Sequence, residues 1–349
     1  MTRGDPKFRM RRSVSKLMAW YARAFDHPFK IRIIHTIFRT FLQDGALLPL
    51  NGALLSVDPA DFIGWAILKT GRYEPNTISL MVDILRNTPG WFIDVGANIG
   101  LHSVIACSIP AVRCAAIEPD PENFRRLQRN IAINGFANIS ICNFALACEA
   151  RPIRLELPVE GNRGTVRVAS EEVARPASIQ SPYSAALTFD SVAKQLGIES
   201  VELMKIDVEG FELDVLEGLD FKKPHRPKNI ILEFSDYGER FCGTNRGGRA
   251  VVHSFLASKG YKAFDVFGTP ISEVDAPCES NAWFRDMNNC SPLLTAVAGE
   301  KRSPERETDC NCALTADPEL PLPPLHSSGI ERLVGWRFAR RLQAASGRP

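Results

Sequence analysis

The sequence predicts an α/β domain with a doubly wound sheet of seven strands, preceded by a helical extension at the N-terminus. Three observations carry that expectation. From residue 91 short apolar runs alternate with helical segments, the pattern of βαβ units and a parallel sheet. The first of these runs, Phe92 to Val95, empties into a glycine turn that opens a helix. The chain has 349 residues, 45% of them hydrophobic, which suits one large core with extensions.

The N-terminal extension comes first. Residues 1–50 hold ten Lys and Arg against three Asp, a local net charge of +7 in a chain whose formal total is +2. Val14, Leu17, Met18 and Tyr21 recur at helical spacing over residues 13–25, and Ile34, Ile37, Phe38, Phe41 and Leu42 do so over 31–43. Pro28 follows His27, and the residue before a proline avoids the α region, so the first helix is expected to stop near Asp26. Two amphipathic helices with basic faces either cap the domain or lie on an anionic membrane surface.

Strands are expected near 91–95, 113–117, 139–143, 201–206, 229–234, 261–267 and 282–285, with helices at 100–108, 121–134, 187–196, 211–217 and 248–259. The helix at 121–134 carries its own punctuation. Asp120 is the N-cap, Pro121 stands at the first helical position and Gly135 lies just past the end. Between residues 151 and 182 two β-like pieces, Ile153–Leu157 and Thr165–Val168, flank Gly161 and Gly164, which predicts an inserted hairpin or flap.

After residue 288 the periodicity fades, and Pro318, Pro321, Pro323 and Pro324 resist packing. The expected organisation is an extension over 1–50, one domain over 51–287 and a Pro-rich, largely disordered tail over 288–349. The nine cysteines form no C-x-x-C pair and fall mostly in apolar runs, where thiols act as small hydrophobes in a reducing compartment. Cys310 and Cys312 have no further ligands nearby in sequence, so no metal is expected. No apolar run approaches the roughly 18 residues a membrane span needs, and the charged first residues, with no apolar stretch behind them, give no reason to expect a secretory signal. A cytoplasmic location is the expectation, with membrane association through the basic helices as the alternative. Near-balanced charge with a pI of about 8.1 gives no reason to expect a nucleic-acid partner.

The strongest chemical signal is Asp94-Val95-Gly96-Ala97-Asn98-Ile99-Gly100. A glycine turn between strand and helix lets backbone approach a nucleotide-like cofactor and aims helix N–H groups at it. A dinucleotide fingerprint wants glycine in the middle of G-x-G-x-x-G, where it clears a diphosphate. Asn98 stands there instead, and Asp94 adds a negative charge that suits the ammonium of a methionine moiety. Glu118, 18 residues after Gly100 at the tip of the next strand, is placed to accept both ribose hydroxyls. Asn143 and Phe144, at the end of the third strand, mark where an adenine ring should lie, although Phe144 serves equally as core filler.

A fourth strand ends in Met204-Lys205-Ile206-Asp207-Val208-Glu209-Gly210-Phe211-Glu212, one base followed by three acids. Open parallel sheets bind ligands beyond the carboxyl ends of their strands, so an acceptor should meet the cofactor here. Glu212 reads equally well as a helix-dipole partner.

With these residues in view, the chain resembles the FkbM-type family of S-adenosylmethionine-dependent methyltransferases. The resemblance runs from about Gly71 to Arg285, through Gly71-Arg72-Tyr73-Glu74-Pro75, the Asp94–Gly100 turn, Glu118-Pro119, Leu187-Thr188-Phe189-Asp190 and Lys205–Glu212. The resemblance implies a class I methyltransferase fold (Rossmann-like), with S-adenosyl-L-methionine as cofactor. Asp94, Gly96, Asn98 and Gly100 would surround its methionine part and Glu118 its ribose. Glu74, just before the core, either folds over the cofactor or serves as a capping or surface carboxylate. The family's better-known members act on hydroxyls of sugars and polyketides, which implies O-methylation of a small-molecule or glycan acceptor. For such a displacement, alignment supplies much of the acceleration and a general base adds roughly 10²- to 10⁴-fold. Asp207 and Glu209 are the first candidates for that base, with His102 in reserve. A nicotinamide-dependent oxidoreductase, against which Asn98 weighs, and a non-catalytic cofactor-binding scaffold are the rival readings.

Overall fold

The computed structural model describes residues 5–24, 26–157, 166–168, 182–234, 248–275 and 281–289. The expected strands form where short β-branched and aromatic runs can be buried on both faces. They are β3 (Trp91–Val95), β4 (Arg113–Ile117), β5 (Ile139–Cys142), β10 (Leu203–Ile206), β11 (Asn229–Glu233), β12 (Tyr261–Phe264) and β13 (Asn281–Asp286). They make one seven-stranded sheet in the order β12-β13-β11-β10-β3-β4-β5. Neighbours from β11 to β5 run parallel, whereas β13 is antiparallel to both β11 and β12. The chain order reverses at β3 and β10, and a crevice opens beyond the carboxyl ends of strands at such a switch point.

Strand alternation divides the core between the two faces. Phe92, Cys114, Ala116, Leu203, Ile231 and Trp283 point to one face, against α4 (Pro75–Asn87), α5 (Leu101–Cys107) and α6 (Pro121–Asn134). Ile93, Val95, Ile117, Met204, Ile206 and Phe284 point to the other, against α7 (Phe189–Leu196), α8 (Glu212–Glu217) and α9 (Arg249–Ser258). The helix boundaries follow their caps. Asp120 accepts the Glu122 N–H and Gly135 ends α6 in the left-handed region; Thr188 accepts the Ser191 N–H and Gly197 ends α7 the same way.

The N-terminal helices are α1 (Pro6–Ala24) and α2 (Lys30–Phe41). Met18, Ala19, Ala22, Ile34 and Leu42 join the same core as α4 and α5, so these helices are packed onto the domain. Arg11 donates to the carbonyls of Asp44 and Gly45, Ser15 Oγ accepts the Leu47 N–H, and Arg23 donates to the carbonyls of Ile67 and Leu68. The boundary expected at 50/51 falls in the turn of a hairpin, β1 (Ala46–Leu50) and β2 (Ala53–Val57). Neither this hairpin nor α3 (Phe62–Thr70) was among the expected elements, nor was α4, although Ile78, Met81, Ile84 and Leu85 recur along it at helical spacing.

The insertion is a small four-stranded sheet in the order β6-β9-β7-β8. It comprises β6 (Ala145–Leu146), β7 (Arg151–Glu156), β8 (Arg167–Val168) and β9 (Tyr183–Leu187). The two expected β pieces pair antiparallel, Leu155 opposite Val168. Residues 158–165, 169–181 and the tail from 290 lie outside the described residues, as do Cys310, Cys312 and the basic stretch Ile330–Leu342.

Candidate active site

Two tips of the central strands build the floor of the crevice. Asp94 on β3 stands in register with Lys205 on β10 and Ala116 on β4. Asp94 is 1% exposed and Lys205 2%. An acid and a base thus lie side by side on one face of the sheet, where an isolated charge would be costly. Ser103 Oγ, in the first turn of α5, donates to Asp94 Oδ2 at 2.5 Å. Asp94 Oδ1 finds no hydrogen-bond donor among the described residues although it is buried. A buried acceptor without a partner is rare in a folded chain and is what a cationic ligand headgroup would satisfy.

The glycine turn holds its shape for internal reasons. Gly96 has φ +78°, and a Cβ there would stand 1.8 Å from the carbonyl oxygen of Asp207. Gly100 has φ +82°, and its Cβ would meet the Leu127 side chain at 2.3 Å. The close approach expected toward a ligand is thus toward the neighbouring strand tip and toward α6. Asn98 occupies the left-handed region at φ 51°, and its N–H donates to Glu118 Oε2 at 2.8 Å. Glu118 Oε1 accepts the Asp120 N–H at 2.9 Å. Each carboxylate oxygen keeps a lone pair for the hydroxyls of a ribose. Burial pushes the Glu118 carboxyl up to about 8, against the pull of those two backbone donors. Asn143 is exposed and donates to the carbonyls of Glu118 and Pro119 at 2.8 and 3.2 Å, latching the tip of β4. Phe144 is half-buried against the second core. An unpartnered carboxylate oxygen, a buried ribose-type acid and a turn shaped by glycine fit an S-adenosylmethionine bound across β3 and β4.

A second cluster of titratable side chains gathers beyond β10. Lys205 Nζ donates to Asp207 Oδ2 at 2.6 Å. Burial alone would raise the Asp207 carboxyl, but the Lys205 charge and hydrogen bond, aided by His102, carry it below the usual range. Lys205 is held above its ordinary value, because Asp207, Glu74 and Asp94 together outweigh its desolvation. Glu209 is pushed up to about 8 by burial and by the charges of Asp207 and Glu212. Glu212 is pushed up to about 7 by burial while accepting from the N–H groups of Gly210 and Val208 at 3.1 and 3.3 Å. It staples the loop that carries Asp207 and Glu209, a role beyond that of a helix-dipole partner.

Glu74 and His102 come to the same place from α4 and α5. His102 Nε2 lies 3.4 Å from Glu74 Oε2, too poorly aligned for a hydrogen bond, and Asn281 Nδ2 donates to that oxygen at 3.4 Å. Five non-glycine residues among those described have positive φ, and three of them are Glu74, Asn98 and Glu209. Backbone strain of this kind collects where a site over-determines the chain.

Sequence reasoning passed over Tyr73, whose hydroxyl is raised by burial and then by Glu74, Asp207, Glu209 and Glu233. It also assigned no role to Lys205, although the phase shared with Asp94 was available in the strand pattern. Among the described residues one further group could hold an ion, Cys148, Asp214 and Glu217. Arg151 already reaches Asp214 at 2.6 Å and Cys148 at 3.4 Å there, supplying the positive charge itself.

Comparison with known proteins agrees with this geometry. Residues 94–263 match the model of the methyltransferase FkbM domain. Methyltransferase 1 of Beauveria bassiana is 24% identical over 186 residues, covering 49% of this chain and 72% of that protein. Methyltransferase sdnD of Sordaria araneosa is 28% identical over 202 residues, covering 49% and 73%. Hexuronic acid methyltransferase AglP of Haloferax volcanii is 32% identical over 127 residues, covering 36% and 48%. Over residues 94–263 the chain is therefore similar to FkbM-type methyltransferase domains, and it is an S-adenosylmethionine-dependent methyltransferase.

Proposed function

We propose that the enzyme methylates a hydroxyl oxygen of a sugar or polyol, with Asp207 and Glu209 dividing the work at the acceptor. The observation that carries this reading is the split between two neighbouring carboxyls, Asp207 held low by Lys205 and Glu209 raised to about 8. Pairs whose environments push them apart in this way mark separate acid–base roles. Asp207, ionised throughout the neutral range, accepts a hydrogen bond from an acceptor hydroxyl and orients it. Glu209, with a proton affinity near neutrality, takes the proton as the carbon–oxygen bond forms. Tyr73, Glu74 and Glu233 extend the acceptor-rich wall that a molecule with several hydroxyls would meet.

S-adenosylmethionine when bound supplies a methyl group on a sulfonium, an electrophile that needs alignment more than activation. Asp94 would hold its ammonium and Glu118 its ribose, while His102 and Glu74 close the side of the crevice. The similarity to a hexuronic acid methyltransferase supports a carbohydrate acceptor. Incubation with methyl-labelled cofactor and a panel of glycans, uronic acids and polyols tests the reading. Base-stable methyl ethers are the expected products; label found only on nitrogen or as base-labile esters would overturn it.

A further inference from the structure

We propose that α1 and α2 form a docking surface for anionic membranes. Ten large hydrophobic residues stand exposed among those described, and six of them lie between residues 10 and 41: Met10, Leu17, Trp20, Phe29, Ile33 and Phe41. On α1 the buried stripe is Phe8, Arg11, Ser15, Met18, Ala19 and Ala22. Met10, Leu17 and Trp20, spaced by seven and three residues, fall together on the opposite side of the helix. Trp20 is 58% exposed and Leu17 60%. On α2 Ile33 points outward next to the fully buried Ile34, and Phe29 and Phe41 stand exposed at its two ends.

This apolar surface is set in positive charge. Lys7, Arg9, Arg12, Lys16, Arg32 and Arg39 are exposed on the same two helices. The acids there are Asp5 and Asp26, and Asp26 is engaged by Lys30 at 2.7 Å. Interfacial helices read this way, with aromatic and aliphatic residues for the acyl boundary and Lys and Arg for anionic headgroups. The surface is also rigidly mounted. Arg11, Ser15 and Arg23 tie α1 to the chain after α2 and to α3, so exposure here is a property of a fixed face.

Charge argues against the other candidate occupants. A second copy related by a two-fold axis would set this basic face against itself. The C-terminal stretch Ile330–Leu342 carries Arg332, Arg337, Arg340 and Arg341 against Glu331, so it would be repelled as well. No helix among the described residues is long and apolar enough to cross a membrane, so contact would be peripheral.

Flotation of the full chain with phosphatidylcholine vesicles, with and without phosphatidylglycerol, tests this. Association is expected with the anionic vesicles only and is expected to fall as salt rises. Each exposed cation near the surface contributes about fivefold, so Arg12→Glu with Lys16→Glu should weaken binding by more than tenfold. Leu17→Glu with Trp20→Glu should abolish it while S-adenosylhomocysteine binding, measured by calorimetry, stays at the wild-type value. Equal flotation with neutral vesicles, no flotation with anionic ones, or unchanged flotation of the Leu17 and Trp20 variant would each overturn the proposal. So would light scattering that shows a dimer which the Leu17 and Trp20 variant converts to a monomer.

Discussion

Lys205 Nζ and Asp207 Oδ2 meet at 2.6 Å just beyond the end of β10, with Asp94 in register beside the lysine. One buried cation thus answers two carboxylates, one proposed to hold the methionine ammonium and one proposed to orient the acceptor. Removing a partner from a buried pair strands the other charge, at a cost of about 3–5 kcal/mol, whereas replacing both by apolar or neutral groups is nearly neutral. Asp207→Asn should therefore lower stability in urea, and Lys205→Met added to it should deepen the loss, because the buried Asp94 carboxylate then has no cation beside it. Turnover should fall by roughly 10²- to 10⁴-fold in both variants, because the orienting carboxylate is gone in each. Wild-type turnover in Asp207→Asn would remove this residue from the reaction.

As the proposed base, Glu209 should set the pH profile of the reaction. A base must be deprotonated to act, and this carboxyl is raised to about 8. The kcat/KM for the acceptor should therefore climb with pH and level off once Glu209 has lost its proton. Glu209→Gln should lose that rising limb along with roughly 10²- to 10⁴-fold in rate. Glu212→Gln, which loosens the loop without touching the acceptor, should keep the limb at a lower height. A rising limb that survives in Glu209→Gln would assign the base elsewhere, with His102 next in reach.

Much of this was legible because the sheet is mostly parallel and buried on both faces. Runs such as Phe92–Val95 and Asn229–Glu233 have few other places to go, and Asp120, Pro121 and Gly135 announce α6 on their own. The hairpin β1–β2 was hidden because its burial is nearly continuous over Ala46–Val57, which erases the alternation that marks a half-buried strand. Of the site, Asp94, Glu118, Asp207 and Glu209 could be picked by their positions at strand tips. Tyr73 could not, since it sits between α3 and α4 and reaches the acids only through tertiary packing. The reason for Gly96 was also out of reach, because the backbone it must clear belongs to Asp207, more than a hundred residues away in sequence.

Glu118 links the cofactor site to stability. Its folded-state value of about 8 lies above the ordinary 4.5, so between those limits the folded chain holds a proton that the unfolded chain has released. Stability should fall as pH rises through that window, by at most ~1.4 kcal/mol per pH unit for this one group. Glu209 and Glu212, raised to about 8 and 7, act in the same direction. Urea midpoints between pH 5 and pH 8 should show the decline, and Glu118→Gln should make it shallower. Ribose hydroxyls would favour the ionised carboxylate, so S-adenosylhomocysteine binding near pH 7 should release protons. Calorimetry in buffers of different ionisation enthalpy reads that release directly, and a binding enthalpy independent of buffer would contradict it.

The two glycines of the turn should respond differently to the same substitution. Both have positive φ, so alanine at either position carries backbone strain of about 1–3 kcal/mol. At Gly100 the new methyl meets the tip of Leu127, a side chain that can change rotamer. At Gly96 it meets the backbone carbonyl of Asp207, which can move only if the end of β10 moves with it. Gly100→Ala should therefore fold with weakened cofactor affinity, while Gly96→Ala should be the more unstable of the two and lose both cofactor binding and turnover. Pairing Gly100→Ala with Leu127→Ala should relieve the clash but add the loss of a fully buried leucine, about 2–5 kcal/mol. Thermal unfolding with and without S-adenosylhomocysteine distinguishes these cases. Equal melting temperatures for Gly96→Ala and Gly100→Ala would mean that the contact between the glycine turn and the Asp207 backbone is not what fixes the first position.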